Sequence, residues 1–370
     1  MHAGSLRNEG YGPVLAKRLA APALAGWDPA ELSGAILLAP INLAGGLLRK
    51  GTALDAALGA TLVAAARAGE LHQPIRVGWP EPGDLHEDEA AERLAVAAAG
   101  NGIEQRPPRQ SRLDLVAKWD GVLHVRTDRL LRLNAIDSLE VFTLFHGQAV
   151  QAGQLVASVK VAPHLIAGLI VEQGVAIARE AGPLVEVRPY QRAEVGAIAA
   201  ESLTGAALAR FESGARMKVE ALGSRFVGAT VLIELEAERA ERDARIALRT
   251  LAVERGLDLI LVGGVSAGDP LSPFYSALHG LGGRVLRHGV PAHPGSMIWL
   301  AELGHTRLLG LPQCGMFAKA TAADLILPRL LTGERLTAES LAELAHGGVL
   351  GREMRFRFPA YAQKLDAPEP

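Results

Sequence analysis

The chain has 370 residues, and its hydrophobic fraction of 49% is enough to fill two or three cores. The 38 lysines and arginines nearly balance the 40 aspartates and glutamates, and a formal net charge of −2 excludes a long-range field that attracts nucleic acid or an anionic membrane. The single cysteine, Cys314, excludes an internal disulfide and every metal site built from several cysteines. A reducing, cytoplasmic location is therefore expected, and the residue usage is typical of a GC-rich bacterial genome.

The first half of the chain predicts a mixed α/β region over 35–185, preceded by an N-terminal arm over 1–34. The arm contains a predicted helix at 13–24, and the aperiodic Pro/Arg/Gln-rich stretch 101–111 predicts either a loop or a domain crossing. Apolar runs and alanine-rich periodic segments alternate elsewhere. They predict strands at 35–40, 75–79, 122–125, 141–144, 155–161 and 184–188, and helices at 53–68, 87–99, 127–135 and 166–180.

The second half has the clearer pattern, with predicted strands at 194–199, 229–235 and 258–262 separated by helices at 210–222 and 237–255. Strands that alternate with helices predict a mostly parallel sheet covered on both faces, which is a three-layer α/β domain. Further predicted elements are a helix at 272–281, strands at 284–287, 297–301 and 307–310, and a helix at 322–331. We place this domain at 186–333 and a C-terminal tail at 334–370.

A glycine-rich loop follows the predicted strand 258–262 and reads Gly263-Gly264-Val265-Ser266-Ala267-Gly268-Asp269. Ligands of open parallel sheets bind beyond the carboxyl ends of the strands, and glycines there let several N–H groups face one anion. A phosphate is the natural ligand, and Ser266 adds a hydroxyl donor. Asp269 either caps the next turn, accepts from a ligand hydroxyl, or orients Mg²⁺.

Further motifs follow this loop in a fixed order: Leu281-Gly282-Gly283-Arg284-Val285, His288-Gly289-Val290, Pro294-Gly295, and Gly310-Leu311-Pro312. The order and spacing resemble the molybdopterin-binding domain of molybdopterin molybdotransferases and related cofactor-biosynthesis proteins. Shorter motifs of the first half resemble a branch of that superfamily found alone or fused to a molybdenum-cofactor nucleotidyltransferase. They are Gly83-Asp84, Glu87-Asp88-Glu89-Ala90-Ala91, Leu133-Asn134-Ala135-Ile136-Asp137 and 153–160.

The resemblance implies that the chain binds molybdopterin or the molybdenum cofactor through the Ser266 loop. It also implies that the loop 292–296 and the segment Pro312 to Lys319 surround the pterin. Two departures from the family pattern stand out. The family's KPGKP loop reads Ala292-His293-Pro294-Gly295-Ser296 here, without lysine, and the GLPGNPVSA turn has lost its second glycine and its serine. Binding of the pterin phosphate survives these changes, whereas molybdate insertion by the usual route is not expected.

Other residues near these loops have two readings each. His293 replaces a lysine and is either a ligand contact or a polar strand-end residue, and Lys319 either supplies the missing cation or is a solvated charge. Cys314 either contacts the ligand or is a small packing residue. Glu201 and Ser202 follow the strand ending at 199, so they either lie on the same edge of the sheet as the Ser266 loop or form a surface turn without a functional role.

Three functions remain open on the sequence. The first is a molybdopterin-binding protein of cofactor biosynthesis, maturation or delivery, whose partners are molybdoenzymes or other biosynthesis proteins; a carrier without turnover is one form of this hypothesis. The second is a molybdotransferase-like enzyme, in which Asp269 places Mg²⁺ and an adenylylated pterin is hydrolysed as molybdate is inserted. The third is a nucleotide-pyrophosphate hydrolase of the same fold. A homo-oligomer that shares the site between subunits is compatible with each.

Overall fold

The computed structural model describes residues 15–43, 45–109, 112–200, 203, 205–232, 237–316 and 319–365. The chain divides into two compact units. The first comprises Met1–Lys118, His124–His146 and Ala152–Val187, and the second Trp119–Leu123, Gly147–Gln151 and Arg188–Pro370. Within the described ranges, no helix combines the length and the apolar character that a membrane crossing requires.

Short strands and medium helices make up the chain as far as residue 189. The strands are β1 (Leu15–Leu19), β2 (Ile36–Leu37), β3 (Ile41–Leu43), β4 (Gly46–Leu48), β5 (Ile75–Trp79), β6 (Asp84–His86), β7 (Ile103–Gln105), β8 (Arg112–Ala117), β9 (Gly121–Val125), β10 (Leu139–Thr143), β11 (Ala149–Val150), β12 (Leu155–Val161), β13 (Leu165–Ala167) and β14 (Val185–Pro189). The α-helices are α1 (Ala21–Leu24), α2 (Ala56–Arg67), α3 (Glu87–Ala98), α4 (Thr127–Asn134) and α5 (Gly168–Arg179), with a 3₁₀ helix at Pro29–Leu32.

These strands form several small sheets. β1, β5 and β2 make a three-stranded antiparallel sheet, and β10, β12, β8 and β7 make a four-stranded antiparallel sheet in that order. β13 pairs antiparallel with β6, β3 with β4, and a further sheet has the order β11-β9-β14. Helix starts are fixed by local chemistry: the Asp55 carboxylate accepts from the N–H of Leu58 at the start of α2, and acidic residues fill the first turn of α3.

The second unit contains one larger sheet and its helices. The strands are β15 (Glu194–Ala199), β16 (Arg225–Val231), β17 (Leu259–Gly263), β18 (Arg284–His288), β19 (Trp299–Leu303) and β20 (Thr306–Gly310). The α-helices are α6 (Gly205–Glu220), α7 (Ala237–Leu248), α8 (Pro273–Gly280), α9 (Gln313–Met316), α10 (Ala323–Leu331), α11 (Ala338–Ala342) and α12 (Ala360–Gln363). A π-helical segment, Arg249–Glu254, continues α7, and 3₁₀ helices lie at Glu343–Ala345 and Arg352–Arg357.

The strand order of this sheet is β16-β15-β17-β20-β19-β18. β16, β15, β17 and β20 run parallel, whereas β19 and β18 are antiparallel additions. Side chains of β17 alternate between two apolar clusters: Leu259 and Leu261 pack with residues of α6 and α10, and Ile260 and Val262 pack with residues of α7 and α8. The strand order places β17 between β15 and β20, so its carboxyl end, where the glycine-rich loop begins, lies inside the parallel part of the sheet.

The structure corrects several sequence predictions. The segment predicted as a helix at 13–24 contains β1, which pairs residue by residue with β5 from Leu15↔Trp79 to Leu19↔Ile75. The stretch predicted as a loop at 101–111 contains β7, and the helix predicted to run to 255 becomes π-helical after Leu248. The chain is α/β as predicted, but it is not mostly parallel: the strand pairs of the first unit and the pairs β18–β19 and β19–β20 are antiparallel, and β16, β15, β17 and β20 form the parallel part of the six-stranded sheet.

Candidate functional site

The Ser266 loop, residues 263–269, leaves the sheet at the end of β17, all of whose residues are buried. Gly264 has φ +82°, which a residue with a side chain rarely adopts, and the chain therefore turns sharply there. In the described part of the chain, the N–H groups of Gly264, Val265, Ser266 and Ala267 donate to no protein acceptor. Four successive N–H groups without acceptors form the kind of concave backbone that binds an anion.

Two side chains of the loop stabilise its turns through hydrogen bonds. The Ser266 Oγ accepts from the N–H of Gly268 over 3.1 Å, and the Asp269 Oδ1 accepts from the N–H of Leu271 over 3.0 Å. The Ser266 hydroxyl keeps its proton for a ligand, since it acts as acceptor in this contact. Among the described residues, Asp269 belongs to no cluster of three side chains that could hold a metal ion together. Turn chemistry thus accounts for the contact that Asp269 makes, and Mg²⁺ binding there stays a prediction.

The loop 292–296 forms a second wall and is held by its backbone. The N–H of His293 donates to the carbonyl of Gly348 and the N–H of Leu350 donates to the carbonyl of His293, each over 2.7 Å. The carbonyl of Pro294 accepts from the N–H of Ala322 over 2.8 Å. Gly295 has φ +115°, and a Cβ built on it would lie 2.8 Å from the nitrogen of Ala322. This position requires glycine for its conformation and for its space.

The third wall begins where β20 ends. The N–H of Leu311 donates to the carbonyl of Val262 over 2.7 Å, which continues the pairing of β20 with β17 past Gly310. Pro312 follows and accepts from the N–H of Gly315, inside the short helix α9. Met316 packs on the start of the glycine-rich loop, since a Cβ on Gly263 would lie 2.4 Å from its Cε. The first and third walls are therefore connected through the backbone and through one methionine.

The three walls enclose a cavity of about 550 Å³. Its lining residues are Gly264, Val265, Ser266, His293, Pro294, Gly295, Ser296, Met297, Leu311 and Pro312. Small-molecule sites typically measure about 300–1,000 Å³. Among these described lining residues, His293 is the one titratable side chain, and it is exposed. The cavity is thus large enough for a fused-ring ligand, and its polar wall consists mainly of backbone.

A smaller cavity of about 150 Å³ lies against the other side of the Ser266 loop. Gly264, Val265 and Ser266 line both cavities, whereas Asp269 and Ser272 line the smaller one. Ala200, at the carboxyl end of β15, also lines the smaller cavity and donates its N–H to the carbonyl of Gly263 over 2.8 Å. The loop therefore separates two spaces at the rim of the sheet.

A buried ion pair fixes the segment that leads into α10. The Lys218 Nζ lies 2.6 Å and 2.9 Å from the two carboxylate oxygens of Asp324 and 3.3 Å from the carbonyl of Lys319. The Tyr361 hydroxyl donates to Asp324 over 2.9 Å, as does the N–H of Thr321 over 2.9 Å. Burial first, and then the Asp324 charge, raise the pKa of Tyr361, so the phenol stays protonated as a donor. The network holds the segment whose Ala322 supports the loop 292–296.

The cavity brings together residues of three predicted segments that are distant in sequence. Gly264, Val265, Ser266, His293, Pro294, Gly295, Ser296 and Pro312 line one space. Gly263, Gly268 and Asp269 belong to the same loop without lining that space, and Lys319 is exposed and does not line it either. Cys314 lies in α9, and its side chain is outside the described part, as are Glu201 and Ser202 entirely.

Sequence reasoning misses several residues that shape the site. Met297 and Leu311 line the cavity, and Trp299 and Tyr275 donate hydrogen bonds to the Ser266 loop. The motif spacing points to the segments that contain Leu311 and Met297, but no local signal marks Trp299 or Tyr275 as donors. Both act through contacts between residues that lie up to 34 positions apart.

No protein-family model and no curated protein matches the chain. Among solved structures, it is similar to the molybdopterin biosynthesis protein MoeA from Pyrococcus horikosii, with 16% identity, 67% of this chain and 79% of that chain covered, and a TM-score of 0.30. It is also similar to the molybdopterin biosynthesis enzyme MoaB from Thermus thermophilus, with 19% identity, 38% and 98% coverage, and a TM-score of 0.27. A deletion mutant of NadC has 14% identity, 45% and 68% coverage, and a TM-score of 0.15. Likenesses this distant carry no conclusion about function.

Proposed function

We propose that the chain binds molybdopterin or the molybdenum cofactor by its phosphate and acts in biosynthesis, maturation or delivery of that cofactor. The observation that carries the proposal is the run of four N–H groups at 264–267, which have no acceptor in the described part of the chain; residues 264–266 of this run line the 550 Å³ cavity. The motifs that follow this loop, in the order typical of molybdopterin-binding domains, supply the identity of the ligand. Both lines of support come from this chain's own residues.

The phosphate would be held by backbone dipoles. A phosphate needs several donors at once, and the N–H groups of Gly264, Val265, Ser266 and Ala267 together with the Ser266 hydroxyl offer them. No lysine or arginine is among the described residues that line the cavity. The binding energy therefore depends on preorganised amides more than on side-chain charge, and it is expected to weaken only modestly as salt concentration rises.

The ring system would occupy the space between the loop 292–296 and Pro312. Pro294, Met297, Leu311 and Pro312 give this part of the lining an apolar surface, and a methionine adapts readily to flat rings. Ser296 and His293 add polar groups at the exposed edge for the heteroatoms of a pterin. A few polar groups on a mostly apolar wall are the usual composition of a small-molecule site.

Molybdate insertion is the second candidate, and the charge of the cavity disfavours it. The reaction would bring together molybdate and a phosphate ester, both anionic, in a space whose described lining has no permanent cation. Incubation with adenylylated molybdopterin, Mg²⁺ and molybdate separates the two candidates. Tight pterin binding without release of AMP supports a carrier, whereas AMP release that Asp269→Ala abolishes supports the enzyme. Hydrolysis of ADP-ribose by a protein that rejects pterin would support the pyrophosphate hydrolase.

The direct test is whether the full chain, purified from a molybdopterin-producing host, contains a pterin that fluoresces after oxidation. Gly264→Ala is expected to lose the pterin, because the added Cβ is incompatible with φ +82° and shifts the N–H groups that hold the phosphate. Gly282→Ala is the matched control, since Gly282 has φ +83° and open space around its Cβ. Both variants carry the same backbone cost, so only Gly264→Ala should empty the protein. A wild-type protein without pterin that also rejects added cofactor overturns the proposal.

A further inference from the structure

Two aromatic side chains hold the Ser266 loop from its buried side. The Trp299 Nε1–H donates to the carbonyl of Val265 over 3.0 Å, and the Tyr275 hydroxyl donates to the carbonyl of Ser266 over 3.2 Å. Trp299 is fully buried, and Tyr275 is 3% exposed. Their rings meet edge to face with centroids 5.4 Å apart, so the two donors form one packed unit beneath the loop.

These hydrogen bonds set the orientation of two peptide groups. In a planar trans peptide, the C=O and the following N–H point in opposite directions. The carbonyl of Val265 shares its peptide with the N–H of Ser266, and the carbonyl of Ser266 shares its peptide with the N–H of Ala267. Because both carbonyls are drawn toward the aromatic pair, the N–H groups of Ser266 and Ala267 point away from it.

We infer that Trp299 and Tyr275 are positioning residues for anion binding, which turn the N–H groups of Ser266 and Ala267 toward a phosphate; this rests on the proposed function. Neither residue touches the ligand, and each acts through one peptide. The two hydrogen bonds fix the loop before the ligand arrives, which reduces the ordering that binding requires.

Two further observations support this role. Burial first, and then the Asp269 charge, raise the pKa of the Tyr275 phenol, so it remains a donor throughout the neutral range. Gly310 makes room for the indole, because a Cβ there would lie 2.1 Å from the Trp299 Nε1. The glycine of the Gly310-Leu311-Pro312 motif thus admits the side chain that orients the Ser266 loop.

The test is titration of the isotope-labelled full chain with inorganic phosphate, followed through backbone amide resonances. In the wild type, phosphate should shift the amides of Ser266 and Ala267. Tyr275→Phe removes one hydroxyl and should reduce the shift at Ala267 more than at Ser266, and Trp299→Phe should do the reverse. Each variant should weaken phosphate binding about 3- to 10-fold, the effect of one hydrogen bond.

Tyr190→Phe is the control, because it removes the phenol hydroxyl of a partly buried tyrosine in the same unit and leaves both donors of the loop in place. If Trp299→Phe fails to fold, the nearly isosteric Tyr275→Phe still tests the positioning role. A wild-type protein whose Ser266 loop ignores phosphate overturns the proposed function. The positioning role alone is overturned if the wild type binds phosphate and the variants bind it equally well. It is also overturned if each variant loses the Ser266 and Ala267 responses to the same extent.

Discussion

Replacing Lys218 by methionine removes the cation of the buried pair with Asp324. The side chain of Lys218 is 4% exposed and that of Asp324 is 0% exposed, so the carboxylate left behind gains no water. Breaking a buried pair from one side typically costs about 3–5 kcal/mol. Since domains are stable by about 5–15 kcal/mol, Lys218→Met should remove a large share of the stability of the second unit.

The loss of stability in Lys218→Met can be measured locally by hydrogen exchange of the buried strand Leu259–Gly263 at increasing urea concentrations. Arg216→Met is the matched control on the same helix, because Arg216 forms an exposed pair with Glu220 whose side chains are 50% and 49% exposed. Such exposed pairs contribute about 0.3–0.5 kcal/mol. Adding Asp324→Asn to Lys218→Met should restore most of the loss, since the amide needs no counter-charge. Equal stability of the Lys218→Met and Arg216→Met variants would refute the reasoning.

Three further changes probe other features of the chain. Gly310→Ala should cost about 1–3 kcal/mol, the usual effect of overpacking, because its Cβ would meet the Trp299 indole at 2.1 Å; thermal unfolding measures it. The Arg129 guanidinium donates to the carbonyls of Ala178, Gly182 and Pro183, and Arg129→Met leaves these carbonyls unsatisfied. This variant should lose about 1–3 kcal/mol of stability or more in a urea titration, whereas Arg132→Met, at an exposed position, should lose little. Burial alone would raise the pKa of Asp114, but the hydrogen bond from Ser158 and the charge of Arg112 lower it overall. The stability that Asp114 contributes is therefore present above its unfolded pKa and lost as pH falls through its lower folded pKa. Ser158→Ala should raise that pKa, and a carboxyl titration by NMR that shows no change contradicts this.

Two strands, β15 of the six-stranded sheet and β12 of the four-stranded sheet, can be predicted because their signal is local. The sequence predicts 194–199 with the bounds that β15 has, and 155–161 with those of β12, since each is a short apolar run between turn residues. The helix prediction for 13–24 is wrong over Leu15–Leu19, where pairing with β5 some sixty residues away decides the conformation, and it is confirmed at Ala21–Leu24. Local pattern carries no information about that partner.

In the candidate site too, some features can be predicted from local sequence and others depend on distant contacts. Glycine spacing predicts the segments that line the cavity, because positive φ and close backbone approach leave a visible mark in sequence. The side chains that hold those segments in place leave no such mark in the sequence. Lys218 resembles any charged residue of an amphipathic helix, and Trp299 resembles any strand residue, until the fold places Asp324 and Val265 beside them.

The pairing of His293 with the segment 348–350 links the candidate site to a distant part of the chain. One wall of the cavity is joined to that segment by two hydrogen bonds of 2.7 Å, as an additional short rung of β-structure. By reciprocity, any ligand whose binding stabilises this wall would also stabilise the attachment of segment 348–350, and detachment of that segment would weaken the binding of such a ligand by the same free energy.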